Sequence, residues 1–274
     1  MKGYGDLYIY ILSGVVKEEN CSSLGSDFIG NWVEGDNSFL FFGRPADEMI
    51  AVVLQLHPGL ELVEHHRFSY EAWQGGKLEP VRIPPFLIVP PWDHATVEEE
   101  YIRVVLDPGV VFGNGLHPTT KDCLRALAFS AKRKPFRKVL DLGTGTGILS
   151  VAAARLGAEA IVAVDLNPLC ARTAKRNVAM NDLNGFIRVV EGDAEDHLQK
   201  PVDLLIANIH HAVIKKVLNQ GRFNPGERVI LSGLMRSQAG EVRAQLSGLG
   251  FHIQREWDHE MTWFTILAVK DSRH

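Results

Sequence analysis

Hydrophobic and polar positions change period several times along this chain, and each change predicts a boundary. Leu7 to Val16 is an apolar, strand-like run. Phe28 to Val33 and Ser38 to Phe42 follow, joined by the turn formers Glu34-Gly-Asp-Asn, and predict a hairpin. Pro45 opens a stretch, 46–56, with apolar residues at helical spacing, and 60–68 returns to strand. Residues 1–75 thus predict a small α+β domain without a chemical motif of its own, suited to substrate recognition or to packing. In 76–94, Pro80, Pro84, Pro85, Pro90 and Pro91 remove backbone donors and predict a stiff linker without long helix.

From 95 to 274 short apolar runs alternate with amphipathic stretches. The runs at 101–106, 139–142, 161–164, 187–190, 202–207 and 228–232 read as strands. Helical spacing covers 118–127, 148–156 and 168–180, and a further helix ends at Gly248. The last two strands, 251–257 and 263–269, have no helix between them and predict an antiparallel pair. Strand–helix alternation of this kind predicts an α/β domain built on a doubly wound sheet.

The stretch from Arg137 to Asp165 carries the chemistry. A strand runs into Gly143, Gly145 and Gly147, which let the backbone turn sharply, and a helix follows. Backbone N–H groups at that helix N-terminus attract negative groups such as a carboxylate. Asp165 ends the next strand, where a carboxylate accepts hydrogen bonds from both hydroxyls of a ribose diol. The turn is not the dinucleotide fingerprint G-x-G-x-x-G, because Ile148 stands at the third glycine position. Asp141, just before the turn, opposes a pyrophosphate and suits a cofactor with a cationic end. A nicotinamide dehydrogenase is disfavoured on both counts. The alternative, a βαβ unit whose glycines only make a turn, leaves the two acids unexplained.

Composition narrows the classes. Of 274 residues, 46% are hydrophobic and 23% charged, enough for a full core. The net charge of −4 argues against a broad nucleic-acid-binding face. Cys21, Cys123 and Cys170 are too far apart for a zinc cluster or a disulfide framework, so buried free thiols and no metal site are expected. Neither a leader nor a run of membrane-spanning length is visible, and the cytoplasm is the expected compartment.

A second informative stretch, Leu106-Asp-Pro-Gly-Val-Val-Phe-Gly-Asn-Gly-Leu-His-Pro-Thr-Thr, puts three glycines in a loop directly before the cofactor unit, as in a lid. It resembles the LDPG-x-x-FG-T-G-x-HPTT element of the ribosomal protein L11 methyltransferases. Asp141-Leu-Gly-Thr-Gly-Thr-Gly resembles the first motif of class I S-adenosylmethionine methyltransferases. Asp165-Leu-Asn-Pro, Ala207-Asn-Ile, and Pro-Pro-Phe with Val-Pro-Pro-Trp before the lid match as well. The resemblance spans about residues 73 to 270; the first 70 fit only in size and predicted class.

The resemblance implies a class I methyltransferase fold, S-adenosylmethionine as cofactor, and transfer to amines of a large-subunit ribosomal protein: lysine side chains, the N-terminal amine, or both. No membrane partner or direct nucleic-acid contact is implied. Carried over residue by residue, Asp165 holds the ribose, and Gly143 and Gly145 pass close to the methionine part. Asp141 lies at the cofactor, Thr120 and its loop cover it, and Asp193 bonds the adenine amine. Asn208 touches the cofactor and aims the incoming amine, the one catalytic role. His210 and His211 depart from the small or apolar residues usual after Asn-Ile. They are read either as a proton acceptor or as one helix cap and one solvated side chain. That departure leaves open another protein or a small-molecule amine as acceptor. A non-catalytic protein that binds S-adenosylmethionine is opposed by Asn208 and the lid motif.

Overall fold

The structure, a computed structural model, describes residues 5–94, 98–198, 201–220 and 226–270. The chain divides into two compact units, Met1–Leu78 and Glu79–His274.

In the first unit the elements run β1 (Asp6–Ser13), α1 (Glu18–Cys21), β2 (Phe28–Glu34), β3 (Asn37–Phe42), α2 (Asp47–Leu56), β4 (Glu61–Ser69) and α3 (Tyr70–Gln74). The four strands form an antiparallel sheet in the order β2-β3-β1-β4. Period-2 alternation explains its core. Tyr10 and Leu12 of β1 and Leu40 and Phe42 of β3 share one face, and Ile50 and Val53 of α2 pack with them. The first strand stops at Ser13 rather than at Val16, because Gly14 turns the chain at φ +101° and donates its N–H to the Asp36 carbonyl.

The second unit opens with three strands, β5 (Val81–Ile83), β6 (Phe86–Val89) and β7 (Ile102–Val105), in one small sheet. The proline-rich stretch expected as a linker thus contains two paired strands. Pro84 and Pro85 form the turn between them, where no ladder donor is needed, and Phe86 to Val89 are buried.

Then follow α4 (Pro118–Arg133), β8 (Lys138–Leu142), α5 (Ile148–Arg155), β9 (Ala160–Asp165), α6 (Pro168–Met180), β10 (Ile187–Glu191), β11 (Leu204–Asn208), α7 (His211–Asn219), β12 (Arg228–Leu234), α8 (Arg236–Gly248), β13 (Phe251–His259) and β14 (Trp263–Lys270). Seven strands make one sheet in the order β10-β9-β8-β11-β12-β14-β13. The first five are parallel; β14 runs antiparallel to both neighbours. Apolar runs buried on both faces are what a parallel sheet requires. Alternate residues divide between two cores: Val139, Leu204, Ile206 and Ile230 pack with α4 and α5. Leu140, Leu205, Ala207, Val229 and Leu231 pack with α7 and α8. Helix α4 extends six residues past the expected end at Leu127, since Ala128 and Ser130 are still buried.

Arg228, at the start of β12, ties the sheet to the end of α4. Its guanidinium donates to the Ser130 hydroxyl (2.9 Å), the Lys134 carbonyl (2.6 Å) and the Pro135 carbonyl (2.9 Å). These carbonyls follow the helix and have lost their intrahelical partners. Replacing Arg228 by Leu orphans them in a buried site, and urea denaturation is expected to show a loss of about 3 kcal/mol. A loss under about 0.5 kcal/mol would mean that water satisfies them instead.

Candidate active site

Parallel sheets of this kind bind ligands beyond the carboxyl ends of their strands, where the strand order reverses. Here the reversal falls between β8 and β11. Leu142 is in register with Val164 on one side and with Ala207 on the other. The next residue on each strand is therefore Asp165, Gly143 and Asn208, side by side at the sheet edge. Asp165 and Asn208 stand two strand spacings apart, about 9.5 Å, with the glycine turn between them.

Each glycine of the turn meets a different part of the chain. A Cβ at Gly143 would lie 1.9 Å from Ile209 Cγ2, just after β11. At Gly145 it would lie 2.8 Å from the Phe112 carbonyl oxygen, in the loop 107–117, and at Gly147 3.2 Å from the Ala174 Cβ of α6. All three have positive φ, +66°, +55° and +82°. The turn is fixed to β9 as well: Thr144 N–H donates to the Val164 carbonyl (3.0 Å) and Gly145 N–H to Asp165 Oδ2 (2.9 Å). Asp165 Oδ1 accepts the Asn167 N–H at 3.0 Å. A carboxylate has about four lone-pair sites, so both oxygens keep acceptor capacity toward the crevice. Burial pushes the Asp165 carboxyl above its ordinary pKa, against the two backbone N–H groups.

Asp141 lies deeper than expected of a residue at the cofactor: it is 1% exposed. Its Oδ2 accepts from the Thr144 hydroxyl (2.7 Å) and the Ser150 hydroxyl (2.6 Å), bracing the turn against the first turn of α5. Its Oδ1 has no hydrogen-bond partner among the described residues. Burial pushes the carboxyl up to about 6 from 3.8, opposed by the two hydroxyls and aided by the Asp165 charge. Sequence reasoning missed Thr144 and Ser150. The signal was there: Ser150 is a polar residue among Ile148, Leu149, Val151 and Ala152.

The loop does not hang free over the turn. Thr146 N–H donates to the Phe112 carbonyl (3.3 Å) and its hydroxyl to the Gly113 carbonyl (2.8 Å). His117 caps α4: the Thr119 N–H donates to His117 Nδ1 (3.3 Å), so the neutral ring carries its proton on Nε2. Burial, together with nearby His259, holds the His117 pKa below its ordinary value. Its ring meets Phe112 and Trp263 edge to face at 5.1 and 5.3 Å, which brings Trp263 to the loop. Thr120, in the first turn of α4, is buried, and its hydroxyl has no partner among the described residues.

Asn208 ends β11, and a Cβ at Gly233 would lie 3.4 Å from its Oδ1. Asp193 caps the short 3-10 turn Ala194–His197 by accepting the Glu195 N–H at 3.0 Å, and stays exposed beyond β10. His210 caps α7 through the Ala212 N–H (3.4 Å). His211 is not solvated: its side chain is largely buried, 3.6 Å from Glu241 of α8. His210 thus has structural work, whereas the buried His211 Nε2 has no hydrogen-bond partner among the described residues.

Strand order, antiparallel last pair and acid-flanked glycine turn define a class I methyltransferase fold. The sequence narrows this further. The chain belongs to the family described as "Ribosomal protein L11 methyltransferase (PrmA)", whose profile matches residues 50–271. It is 37% identical over 229 residues to a "Ribosomal protein L11 methyltransferase" of Pelotomaculum thermopropionicum, covering 81% of this chain and 73% of that protein. A protein of the same name from Geobacillus kaustophilus is 35% identical over 195 residues, covering 70% of this chain. The match spans 62% of the Geobacillus protein's length. Among solved structures, a ribosomal protein L11 methylase of Lactobacillus delbrueckii subsp. bulgaricus aligns with TM-score 0.63 and 27% identity, over 70% of this chain and 100% of that one. No helix among the described residues is long and apolar enough to cross a membrane.

The buried Asp141 makes stability depend on pH. Its folded-state pKa of about 6 exceeds the ordinary 3.8, so the folded chain holds that proton more tightly than the unfolded chain does. Ionisation therefore costs stability as pH rises through this window, and the cost is complete above it. Asp141→Asn removes the titration. Relative to the native chain, the variant should gain about 2 kcal/mol between pH 4 and pH 7 in urea denaturation. A pH-independent difference would contradict the assignment.

Proposed function

We propose that this chain is an S-adenosylmethionine-dependent methyltransferase that modifies amines of ribosomal protein L11, in the cytoplasm. The observation that carries the reading is the row Asp165, Gly143, Asn208 at the point where the strand order reverses, in a chain of this family. A bound S-adenosylmethionine supplies an electrophilic sulfonium methyl, which calls for no metal and no covalent enzyme intermediate.

The residues present suit such a ligand. Asp165 keeps acceptor capacity for two ribose hydroxyls, and Asp193 lies one strand further out, beyond β10, on the side expected for the base. Asp141 supports the turn from below through Thr144 and Ser150 and adds negative charge under the ligand's cationic end. Gly143 and Gly145 present main chain to the methionine part, and Thr120 lies beside the loop that covers it. Asn208 makes no side-chain hydrogen bond among the described residues. Its carboxamide oxygen can accept an N–H from a neutral amine and aim the lone pair at the methyl. A lysine, with a reference pKa near ~10.4, has to reach that position deprotonated. His117 does not take its proton, because Nδ1 is occupied and Nε2 is a donor. Desolvation in the closed crevice favours the neutral amine instead. His210 and His211, one a helix cap and one beside Glu241, give no support to a different acceptor.

The test combines binding and mass. The protein is incubated with S-adenosylmethionine and unmodified ribosomal protein L11, and intact masses are taken. A gain in multiples of one methyl on L11 is expected, and none on L11 would contradict the substrate. Asp165→Ala should weaken S-adenosylhomocysteine binding about a hundredfold in calorimetry, the loss of two hydrogen bonds to a charged acceptor. Unchanged affinity would contradict the ribose role.

A further inference from the structure

Two buried asparagines stand one helical turn apart, Asn177 on α6 at 0% exposure and Asn181 at that helix's C-terminal cap at 1%. Asn181 Oδ1 accepts the Val105 N–H (3.0 Å), and its Nδ2 donates to the Val105 carbonyl (2.7 Å). Asn177 does the same two residues on: Oδ1 accepts the Asp107 N–H (2.9 Å) and Nδ2 donates to the Asp107 carbonyl (3.0 Å). The pair thus satisfies the main chain of alternate residues, as a neighbouring strand would, where β7 runs out into the loop.

The two differ in one bond that matters. Asn177 Nδ2 also donates to the Thr146 carbonyl, at 2.8 Å, inside the glycine turn. Asn181 Nδ2 donates its other hydrogen to the Asn177 carbonyl (2.8 Å), within the helix. Thr146 in turn holds the middle of the loop through the Phe112 and Gly113 carbonyls. A closed circuit results: Asn177 grips the first residue of the loop and the turn, and the turn grips the loop again five and six residues later. Arg176 strengthens the first grip by pairing with Asp107 Oδ2 at 3.3 Å. The chain pays in its choice of residues: Gly145 and Gly113 both lack the Cβ that would clash in this contact, with Phe112 O at 2.8 Å and Thr146 Oγ1 at 2.9 Å.

We infer that Asn177 is a positioning residue for the methyl-transfer site: its single carboxamide locks the loop 107–117 to the glycine turn before any ligand binds. A loop already held in the binding-competent arrangement does not have to be ordered on binding. If the competent fraction falls, the apparent dissociation constant rises by the same factor. The inference rests on the proposed function for the identity of the site and for the ligand used to test it.

Asn181→Ala is the internal control, since it removes similar bonds from the same helix without touching the turn. Amide hydrogen exchange is measured in the unliganded proteins, and S-adenosylhomocysteine affinity by calorimetry. Asn177→Ala is expected to speed exchange in 109–115 and 144–146 together and to raise Kd about tenfold. Asn181→Ala is expected to lower Tm to a similar extent, with Kd within about twofold of the native protein and exchange in 109–115 unchanged. Equal effects of the two variants on Kd and loop exchange would overturn the inference, as would native behaviour of Asn177→Ala. Should Asn177→Ala not fold, Thr146→Val replaces a hydroxyl of the same circuit by a methyl group, removing its bonds to the Gly113 carbonyl and the Ile148 N–H. Faster loop exchange, restored by Thr146→Ser, supports the inference, and unchanged exchange overturns it. If the native protein binds no S-adenosylhomocysteine, the proposed function fails, and the exchange comparison still decides the role of Asn177.

Discussion

Close backbone approach at the glycine turn is the constraint on which the rest of the second unit depends. Ile209, just after β11, and the Phe112 carbonyl in the loop before α4 lie closer than a Cβ at Gly143 or Gly145 would allow, and Ala174 of α6 lies in tight contact range of one at Gly147. A glycine-rich turn is usually explained by the room it leaves for a ligand. Here the same three residues first leave room for protein. On the proposed function, the ligand lies in what those neighbours leave open, between Asp165 and Asn208.

That closeness has an electrostatic consequence. Asp141 is carried under the turn by β8, out of reach of bulk water, and two hydroxyls compensate one of its oxygens. A buried, half-satisfied carboxylate costs stability. On the proposed function, negative charge beneath a cationic ligand gives that cost a use, as functional sites commonly do. The Asn177 circuit works in the opposite sense. It satisfies main-chain groups that the loop exposes on leaving β7, so the loop can lie closed without orphaned donors.

Much of this was legible in the sequence. Apolar runs split by period into two cores, the order of strands and helices, and the acid after the second strand all follow from local pattern. Gly143 and Asp165 fall where the pattern set them, because strand ends are marked by the turn residues that follow. Three things were not legible. The proline-rich stretch reads as linker locally, yet β5 pairs with β6 inside it and β6 pairs in turn with β7, outside it. The depth of Asp141 depends on the hydroxyls of Thr144 and Ser150, which only the fold brings over it. His211 looks like a surface histidine until α8, about thirty residues on, supplies Glu241. In each case the deciding contact is long-range, and period and propensity carry no information about it.

The proposed site lies at the protein-packed turn, between Asp165 and Asn208, beside a loop held to Thr146. The measurement that tests it most directly is a crystal structure with S-adenosylhomocysteine bound. Both ribose hydroxyls are expected within hydrogen-bonding distance of Asp165, the sulfur on the Asn208 side of Gly143, and the Phe112–Thr146 and Gly113–Thr146 bonds intact. A ligand seated away from Asp165, or a loop that has to leave Thr146 to admit it, would contradict the account.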